Sequence, residues 1–268
     1  MKVSRGEFLA GLGGLAVGVP IGAIGRGSQR EASPSPAPPL AAPAPGPALP
    51  ANLPERGEPS YAQAGEDACL NFMFEYMQIK DIQYLDIGAW DPVAYNNTYF
   101  FYRKGFRGVL VEPNGAMCQK IRAVRPEDTT LEAGIGVAAA QEADYYVMTE
   151  SAWNTFSKEE ADHMTKVTGG GIKVEKVTKI PLLNINDVMA KYFGKAPAYV
   201  SIDAEGWHLA ILKSIDYDKF RPLAICVETL VSGSRATIPE IPAYMATQGY
   251  VVRGGSFVNT IFVDGKQI

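Results

Sequence analysis

The segment Tyr84–Pro92, which reads YLDIGAWDP, constrains the fold of this chain more than any other stretch. The short apolar run Gln83–Ile87 is typical of a buried β-strand, and Gly88 ends it at once. In open α/β sheets, ligands bind outside the carboxyl ends of such strands. Because glycine has no Cβ, the backbone at Gly88 can approach a ligand closely. The segment therefore predicts an α/β fold with a ligand site just after Ile87.

The side chains around this turn indicate what kind of ligand it would bind. A dinucleotide fingerprint has three glycines, because a pyrophosphate group needs several backbone N–H donors. This turn has one glycine, Gly88, and two carboxylates, Asp86 and Asp91. An acid-rich, glycine-poor turn suits a positively charged nucleoside without phosphates. S-adenosylmethionine is such a ligand, since it carries a sulfonium and an ammonium group.

A second predicted strand also ends in an acid. The run Gly108–Glu112 is apolar up to its last residue, and Glu112 comes 24 positions after Gly88. In nucleotide-binding α/β folds, the acid that binds the ribose follows about 20 residues after the glycine turn. A carboxylate at that place can accept hydrogen bonds from both ribose hydroxyls. We therefore expect Asp86 and Glu112 to hold the nucleoside.

A later strand, Tyr199–Asp203, is followed by Ala204-Glu205-Gly206-Trp207-His208. Right-handed crossover connections would place this strand beside the first one. Asp203 and Asp86 would then flank one crevice, and perturbed carboxylates cluster in such crevices. The alternative interpretation is that Asp203 and Glu205 cap a helix and that His208 is a surface residue.

The rest of the chain predicts alternating helices and strands. Helices are predicted from Ser60 to about Gln78 and over Tyr99–Lys104, Asn114–Ile121, Leu182–Phe193 and Pro239–Gln248. Further strands are predicted over Thr130–Val137, Tyr145–Met148 and Leu223–Glu228, followed by a hairpin of Tyr250–Arg253 and Asn259–Val263.

Three details of this pattern carry further expectations. The first helix would begin with a capping box formed by Ser60 and Gln63. Gly134, near the end of the third strand, would leave room for an adenine ring. The polar stretch Thr149–Lys173 predicts a loop that covers the substrate, because long loops inside compact domains are commonly functional.

The first part of the chain has a different composition. Residues 1–30 include the uncharged stretch Phe8–Gly25 and resemble a signal peptide or a short anchor. Residues 31–58 are rich in proline and alanine and predict a disordered linker. Residues 59–268 would then form the catalytic domain. We expect a cytoplasmic domain that residues 1–25 tether to a membrane.

Composition excludes several classes of function. A formal net charge of −4 argues against a broad nucleic-acid surface. The chain has two histidines, His163 and His208, so a site with several histidine ligands is excluded. Its three cysteines show no CxxC spacing, which argues against a disulfide framework and against a zinc site.

Several short motifs, in the same order along the chain, resemble those of the FkbM-type methyltransferases. They cover the sequence from about Ser60 to the C-terminus, and their number and order make the resemblance specific. The matching segments are Tyr61-x-Gln63-x-Gly65-Glu66-Asp67, Tyr84 to Ala89 with Asp91 and Pro92, Asn97-Thr98, Phe101-Tyr102 with Gly105, Val111 to Asn114, and Ser201-Ile202-Asp203 with Glu205 and Gly206. The pair Trp207-His208 departs from the family, which usually has small or polar residues there.

The resemblance implies a Rossmann-like methyltransferase fold, an α/β architecture with helices on both faces. Its sheet would be mostly parallel and seven-stranded, with a C-terminal antiparallel hairpin. The resemblance also implies S-adenosylmethionine as cofactor and methylation of a hydroxyl on a sugar, a glycan or another small molecule. The acceptor would be the expected partner.

The same resemblance, together with the strand ends, gives the candidate site residues. Cofactor binding is expected of Gln63, Glu66, Asp67, Asp86, Gly88, Ala89, Asp91, Asn97, Thr98, Glu112, Asn114, Gly134 and Asp203. The catalytic base is expected to be Asp203, Glu205 or His208. No metal ligand is assigned, although these two carboxylates and the histidine could also seat a divalent cation.

Two other functions stay open at this point. An NAD(P)-dependent oxidoreductase would share the α/β fold, but the missing glycine pattern and the predicted C-terminal hairpin count against it. A membrane-tethered binding module could keep the fold without the chemistry. Thermal stabilisation by each cofactor distinguishes the oxidoreductase from the methyltransferase. Product analysis with a labelled methyl donor distinguishes the binding module from the enzyme.

Overall fold

The computed structural model describes residues 59–137 and 141–268. Its strands are β1 (Tyr84–Ile87), β2 (Gly108–Val111), β3 (Thr129–Leu131), β4 (Gly134–Ile135), β5 (Glu142–Met148), β6 (Val174–Leu183), β7 (Tyr199–Ile202), β8 (Ala224–Glu228), β9 (Tyr250–Gly255) and β10 (Asn259–Asp264). Its helices are α1 (Glu66–Tyr76), α2 (Tyr99–Arg103), α3 (Gly115–Val124), α4 (Lys158–Val167), α5 (Ile185–Tyr192), α6 (His208–Ser214) and α7 (Glu240–Thr247), with a 3₁₀ turn at Ser151–Trp153.

The main sheet has seven strands in the order β3-β2-β1-β7-β8-β10-β9. The five neighbouring strands β3, β2, β1, β7 and β8 pair in parallel, whereas β10 runs antiparallel to both β8 and β9. This confirms the predicted Rossmann-like architecture with its C-terminal antiparallel hairpin. The chain leaves β1 on one side for β2 and returns on the other side as β7, and such a switch point creates a crevice at the carboxyl ends of the strands.

Helices cover both faces of this sheet, and the central strands are therefore buried on both sides. Leu85 and Ile87 of β1 belong to one apolar core, which also contains residues of α5, α6 and α7. Tyr84 of the same strand belongs to a second core, with residues of α1, α2 and α3. Neighbouring side chains of a strand point to opposite faces, so one short strand contributes to both cores.

A smaller three-stranded sheet, in the order β4-β6-β5, lies between β3 and β7 in the sequence. This part of the chain corrects three expectations. The predicted strand Thr130–Val137 is two short strands, and the predicted covering loop Thr149–Lys173 contains the 3₁₀ turn and α4. The predicted helix from Leu182 begins later, at Ile185, because β6 continues to Leu183.

The first helix also begins later than the capping-box pattern indicates. It starts at Glu66, after Gly65 in a left-handed conformation with φ of 90°, and no side chain caps it. The Ser60 hydroxyl instead donates a hydrogen bond to the Asp67 carboxylate at 2.6 Å. The predictions for residues 1–30 and 31–58 lie outside the described residues. Within the described residues, no helix combines the length and the apolar composition needed to cross a bilayer.

Candidate functional site

A cavity opens at the carboxyl ends of β1, β2 and β7. The empty space between its lining residues is about 600 Å³, including open solvent at the mouth. Five of the residues expected to bind the cofactor or to act in catalysis line it: Gly88, Glu112, Gly134, Asp203 and Glu205. The segments that follow β2 and β7 thus bring three carboxylates to this cavity.

The three strand ends are packed closely at Gly88. This residue has φ of 79°, and a Cβ on it would lie 1.8 Å from the carbonyl oxygen of Asp203. Backbone hydrogen bonds continue past the strands, from Gly88 N to Val111 O and from Asp203 N to Ile87 O, both at 2.9 Å. The glycine is therefore needed for the approach of two strand ends and, in this structure, faces protein on its Cβ side.

The Glu112 carboxylate is held in a fixed orientation at the cavity wall. Its Oε2 accepts a hydrogen bond from Trp90 N at 2.8 Å, and its Oε1 accepts one from Asn114 N at 2.7 Å. Burial raises the pKa of Glu112 to about 7, and the charges of Asp86 and Asp203 act in the same direction. A cationic or hydroxyl-bearing ligand would relieve this cost, because it supplies charge or donors to a buried acid.

Aromatic side chains also line the cavity and form its aromatic wall. Phe156 stacks on Trp207 with ring centroids 5.1 Å apart, and Tyr145 lies 4.8 Å from Phe156. A Cβ on Gly134 would meet the Phe156 ring at 2.5 Å, so that ring occupies the space expected to admit adenine. Sequence reasoning did not assign Tyr145 and Phe156 to the site, although Phe156 lies within the polar stretch that was expected to cover it.

The segment after β7 adopts a constrained conformation. Glu205 has φ of 29°, which is unusual for a residue with a side chain. Its carbonyl oxygen accepts a hydrogen bond from Thr155 Oγ1 at 2.6 Å, and the Ser232 hydroxyl lies 3.5 Å from its Oε2. The Glu205 carboxylate therefore points toward the loop that follows β8.

His208, the first residue of α6, is buried beside this segment and does not line the cavity. Its imidazole lies near Asp203 and Glu228, and one ligand atom from each of the three lies within 4.8 Å of the other two. Glu228 ends β8, as the apolar run before it predicts. Its proximity to Asp203 and His208 was not assigned from the sequence, although the acids at neighbouring strand ends were the available signal.

Asp86 lies behind the cavity rather than on its wall. Its Oδ2 accepts hydrogen bonds from Thr98 Oγ1 at 2.6 Å and from Asn96 Nδ2 at 3.3 Å. Burial raises the pKa of Asp86, while these hydrogen bonds and the charge of Arg125 oppose the rise. Asp86 and Thr98, both expected to bind the cofactor, are here partners in one buried network.

Two more expected cofactor ligands fix the segment before α1. Asp67 accepts hydrogen bonds from the chain that precedes the helix, including Tyr61 N at 2.7 Å. Glu66 accepts one from Asn259 Nδ2 of β10 at 2.8 Å. Gln63 is partly exposed and, like both acids, does not line the cavity.

The remaining candidates lie in the turns after β1 and β2. Asp91 accepts a hydrogen bond from Lys120 Nζ at 3.1 Å, and Asn114 caps α3. Ala89 is buried. Asn97 donates to Ser201 Oγ at 3.2 Å, and its own Oδ1 is buried with no hydrogen-bond partner in the described chain. These placements leave the assignment of cofactor contacts as a prediction.

Comparison with known proteins adds a family match. A family model described as the methyltransferase FkbM domain matches residues 86–252, more than half of the chain. That match includes the strand ends that carry Glu112, Asp203 and Glu228. No functionally curated protein matches the chain significantly in sequence.

Two of the similar solved structures are methyltransferases. A TehB-like SAM-dependent methyltransferase from Corynebacterium glutamicum is 8% identical, with a TM-score of 0.42, and the alignment covers 75% of this chain and 88% of that one. An O-methyltransferase from Bacillus cereus, in complex with SAH, is 12% identical, with a TM-score of 0.40 and coverage of 76% and 84%. Both scores are below 0.5, and the family match does not depend on them.

Proposed function

Because the chain belongs to the FkbM methyltransferase family, we propose that it transfers a methyl group from S-adenosylmethionine to a hydroxyl of a sugar, a glycan or another small molecule. Methyl transfer and the donor follow from the family, whereas the hydroxyl acceptor is our proposal. The observation that carries it is the cavity wall of three carboxylates, Glu112, Asp203 and Glu205, at the strand ends. The family match favours this function over the nicotinamide-dependent alternative.

The residues of the cavity fit the donor. Glu112 is oriented by two backbone N–H groups and can accept hydrogen bonds from ribose hydroxyls. The carboxylates near the strand ends raise one another's cost of ionisation, and a ligand with a sulfonium and an ammonium group would offset that cost. The aromatic wall of Tyr145, Phe156 and Trp207 offers ring faces for the adenine if Phe156 moves aside.

In the proposed reaction the protein mainly aligns the reactants and takes up a proton. The bound donor supplies an electrophilic methyl group, which the acceptor oxygen takes while the sulfur keeps the bonding electron pair. Asp203 and Glu205 line the cavity and can accept the proton that the hydroxyl loses. His208 does not line it, which makes it the least direct of the three expected bases.

Product analysis with a methyl-labelled donor tests the acceptor class. The full-length protein is incubated with a panel of sugars and small hydroxyl compounds, with the matching amines and carboxylic acids as comparison acceptors. We expect label in methyl ethers that survive mild base. Label confined to amines or to base-labile esters would contradict hydroxyl methylation, and a protein that binds the donor but labels no acceptor would favour the non-catalytic alternative.

Calorimetry tests the assignment of Glu112. We expect Glu112→Gln to weaken binding of S-adenosylhomocysteine about tenfold or more, because a charge-assisted hydrogen bond contributes about 1.5–3 kcal/mol. Glu132→Gln is the matched control, since Glu132 is a half-exposed acid that directly follows β3 and does not line the cavity. Equal affinities of the two variants would remove Glu112 from the donor site.

We further propose that residues 1–25 hold the catalytic domain near a membrane. The support is the uncharged stretch Phe8–Gly25, followed by the proline-rich segment. Membrane fractionation compares the full chain with a variant that lacks residues 1–30. Unchanged partitioning of the truncated protein would refute the tether.

A further inference from the structure

Three side chains meet beside the cavity, at the carboxyl ends of β7 and β8. Asp203 directly follows β7, Glu228 is the last residue of β8, and His208 is the first residue of α6 between them. The two strands are parallel neighbours, with Ile202 opposite Val227, so the residues at their ends emerge at the same edge. The fold therefore brings one imidazole and two carboxylates together.

The spacing of the three side chains is that of a metal site. One imidazole nitrogen and one oxygen from each carboxylate lie within 4.8 Å of one another. His208 Nε2 lies 3.4 Å from Glu228 Oε2. Two ligands at about 2.1 Å from a tetrahedral ion are themselves about 3.4 Å apart, given typical metal–nitrogen and metal–oxygen bonds of about 2.0–2.2 Å. His208 and Glu228 already have this spacing, and Asp203 lies close enough to complete the set after a small movement of its side chain.

The imidazole provides a second, independent observation. His208 is 3% exposed, and its Nε2 makes no hydrogen bond within the described residues. A buried polar nitrogen of this kind is uncommon, and leaving it without a hydrogen bond costs about 1–3 kcal/mol. The contact with Glu228 becomes an ion pair only if the imidazole is protonated. A neutral imidazole nitrogen is instead a common metal ligand.

We propose that Asp203, His208 and Glu228 bind one divalent first-row transition ion. Carboxylates suit magnesium and manganese, imidazole suits zinc and iron, and the mixed set fits an intermediate ion such as Mn²⁺ or Zn²⁺. This set differs from the one expected from the sequence, because Glu228 takes the place of Glu205.

The ion would lie next to the acceptor. Asp203 both lines the cavity and belongs to the cluster, so it connects the two. A divalent ion lowers the pKa of a hydroxyl that it binds, and so favours loss of the proton before methyl transfer. This role rests on the proposed function, whereas binding of the ion does not.

Titration calorimetry of Mn²⁺ into the chelator-treated, full-length protein tests the site without donor or acceptor. We expect one saturable site, weakened at least about tenfold in His208→Ala and in Glu228→Gln. His163→Ala is the matched control, because His163 is the other histidine of the chain and its Nε2 lies 3.0 Å from the Ser232 carbonyl oxygen. Its Mn²⁺ affinity should equal that of the wild type.

Absence of saturable Mn²⁺ binding to the wild type, or an unchanged affinity in folded His208→Ala, overturns the site. A spectroscopic readout covers the case in which the site variants do not fold. Spin-echo measurements on Mn²⁺-loaded His163→Ala should show coupling to an imidazole nitrogen, and its absence overturns the proposal. A negative result in these Mn²⁺ tests contradicts the metal site and leaves the proposed methyl transfer unaffected. A negative result in the labelled-donor assay contradicts the proposed methyl transfer and leaves the metal site unaffected.

Discussion

At the scale of one residue, the close packing after β1 requires a glycine at position 88. Gly88→Ala should lower the free energy of unfolding by about 2–5 kcal/mol. A positive φ costs an L-residue about 1–2 kcal/mol, and the overlap of a Cβ with the Asp203 carbonyl adds about 1–3 kcal/mol. Urea denaturation measures the loss.

Gly105→Ala is the matched control for this prediction. Gly105 has a similar φ of 92°, and no heavy atom lies within 4 Å of the place where a Cβ would be. Its substitution should therefore cost the conformational part alone, about 1–2 kcal/mol. Equal losses in the two variants would show that the strand ends do not pack as closely as described.

Glu112 makes stability depend on pH. Its pKa, raised mainly by burial to about 7, lies above the ordinary value of 4.5 that the unfolded chain retains. The folded state therefore holds this proton more tightly, so ionised Glu112 destabilises the fold above pH 7. That cost disappears as pH falls toward 4.5.

Glu112→Gln should remove this dependence. Between pH 4.5 and pH 8, the stability of the variant should rise relative to the wild type by on the order of 3 kcal/mol. Chemical denaturation at the two pH values measures the change, with substitution of the half-exposed Glu132 by Gln as the control. A difference between wild type and Glu112→Gln that is the same at both pH values would contradict the prediction.

At the scale of elements, a buried ion pair joins β1 to α2 and α3. Arg125 follows α3 and pairs with Asp128 at 2.8 Å, with both side chains fully buried. Asp128 also accepts from the Tyr84 hydroxyl of β1, and Arg125 donates to Thr98 Oγ1 before α2 at 3.0 Å. The same Thr98 hydroxyl binds Asp86, so this network fixes the first acid of the strand ends.

Arg125→Met should therefore destabilise the protein by about 3–5 kcal/mol, because it leaves the Asp128 charge buried and uncompensated. Arg122→Met, in the same region of the chain, is the control. Arg122 is half-exposed and lies 3.9 Å from Glu132, and a pair of this kind contributes about 0–1 kcal/mol. Similar losses in thermal or chemical unfolding of the two variants would contradict the role of the network.

The strands of the main sheet could be predicted because short apolar runs ended in acids or glycines. β6 could not, because charged residues interrupt its sequence VEKVTKIPLL and none of its residues is fully buried. α4 was missed for a related reason. Its sequence is polar, and its buried residues Ala161 and Met164 pack in a small cluster with Met148, Trp153 and Ile172. Tertiary pairing decides such segments, and local pattern does not reveal it.

At the scale of the whole molecule, the two main cores that the described residues form extend from Leu70 to Val263. A fragment of residues 59–268 should therefore fold and melt within about 2 °C of the full chain, since a change below about 0.5 kcal/mol shifts the melting temperature by that little. A fragment of residues 80–268 is the contrast, because it lacks α1 with the buried Leu70 and Phe74. Differential scanning calorimetry compares them, and a large loss in the longer fragment would refute the domain boundary.

The candidate site was only partly predictable for a reason of geometry. The sequence shows which acids end strands, so Glu112, Asp203 and Glu205 at the cavity could be named in advance. It does not show to which face each side chain turns, and Asp86 turns away while Glu228 approaches His208. Of the aromatic residues at the cavity, Tyr145 lies on a strand that was predicted and Trp207 follows β7, but the sequence did not show that they meet Phe156 there.

The smaller sheet is attached to the rest through a narrow base. Gly134 and Ile135 pair with Leu182 and Leu183, so the chain departs from and rejoins the main sheet at neighbouring positions. The described residues between these two pairs form an appendage. It contributes residues to one side of the pocket and no strand to the main sheet. Exchanging this appendage between relatives would thus replace the side of the pocket that carries Tyr145 and Phe156, while the main sheet keeps Glu112 and Asp203 in place.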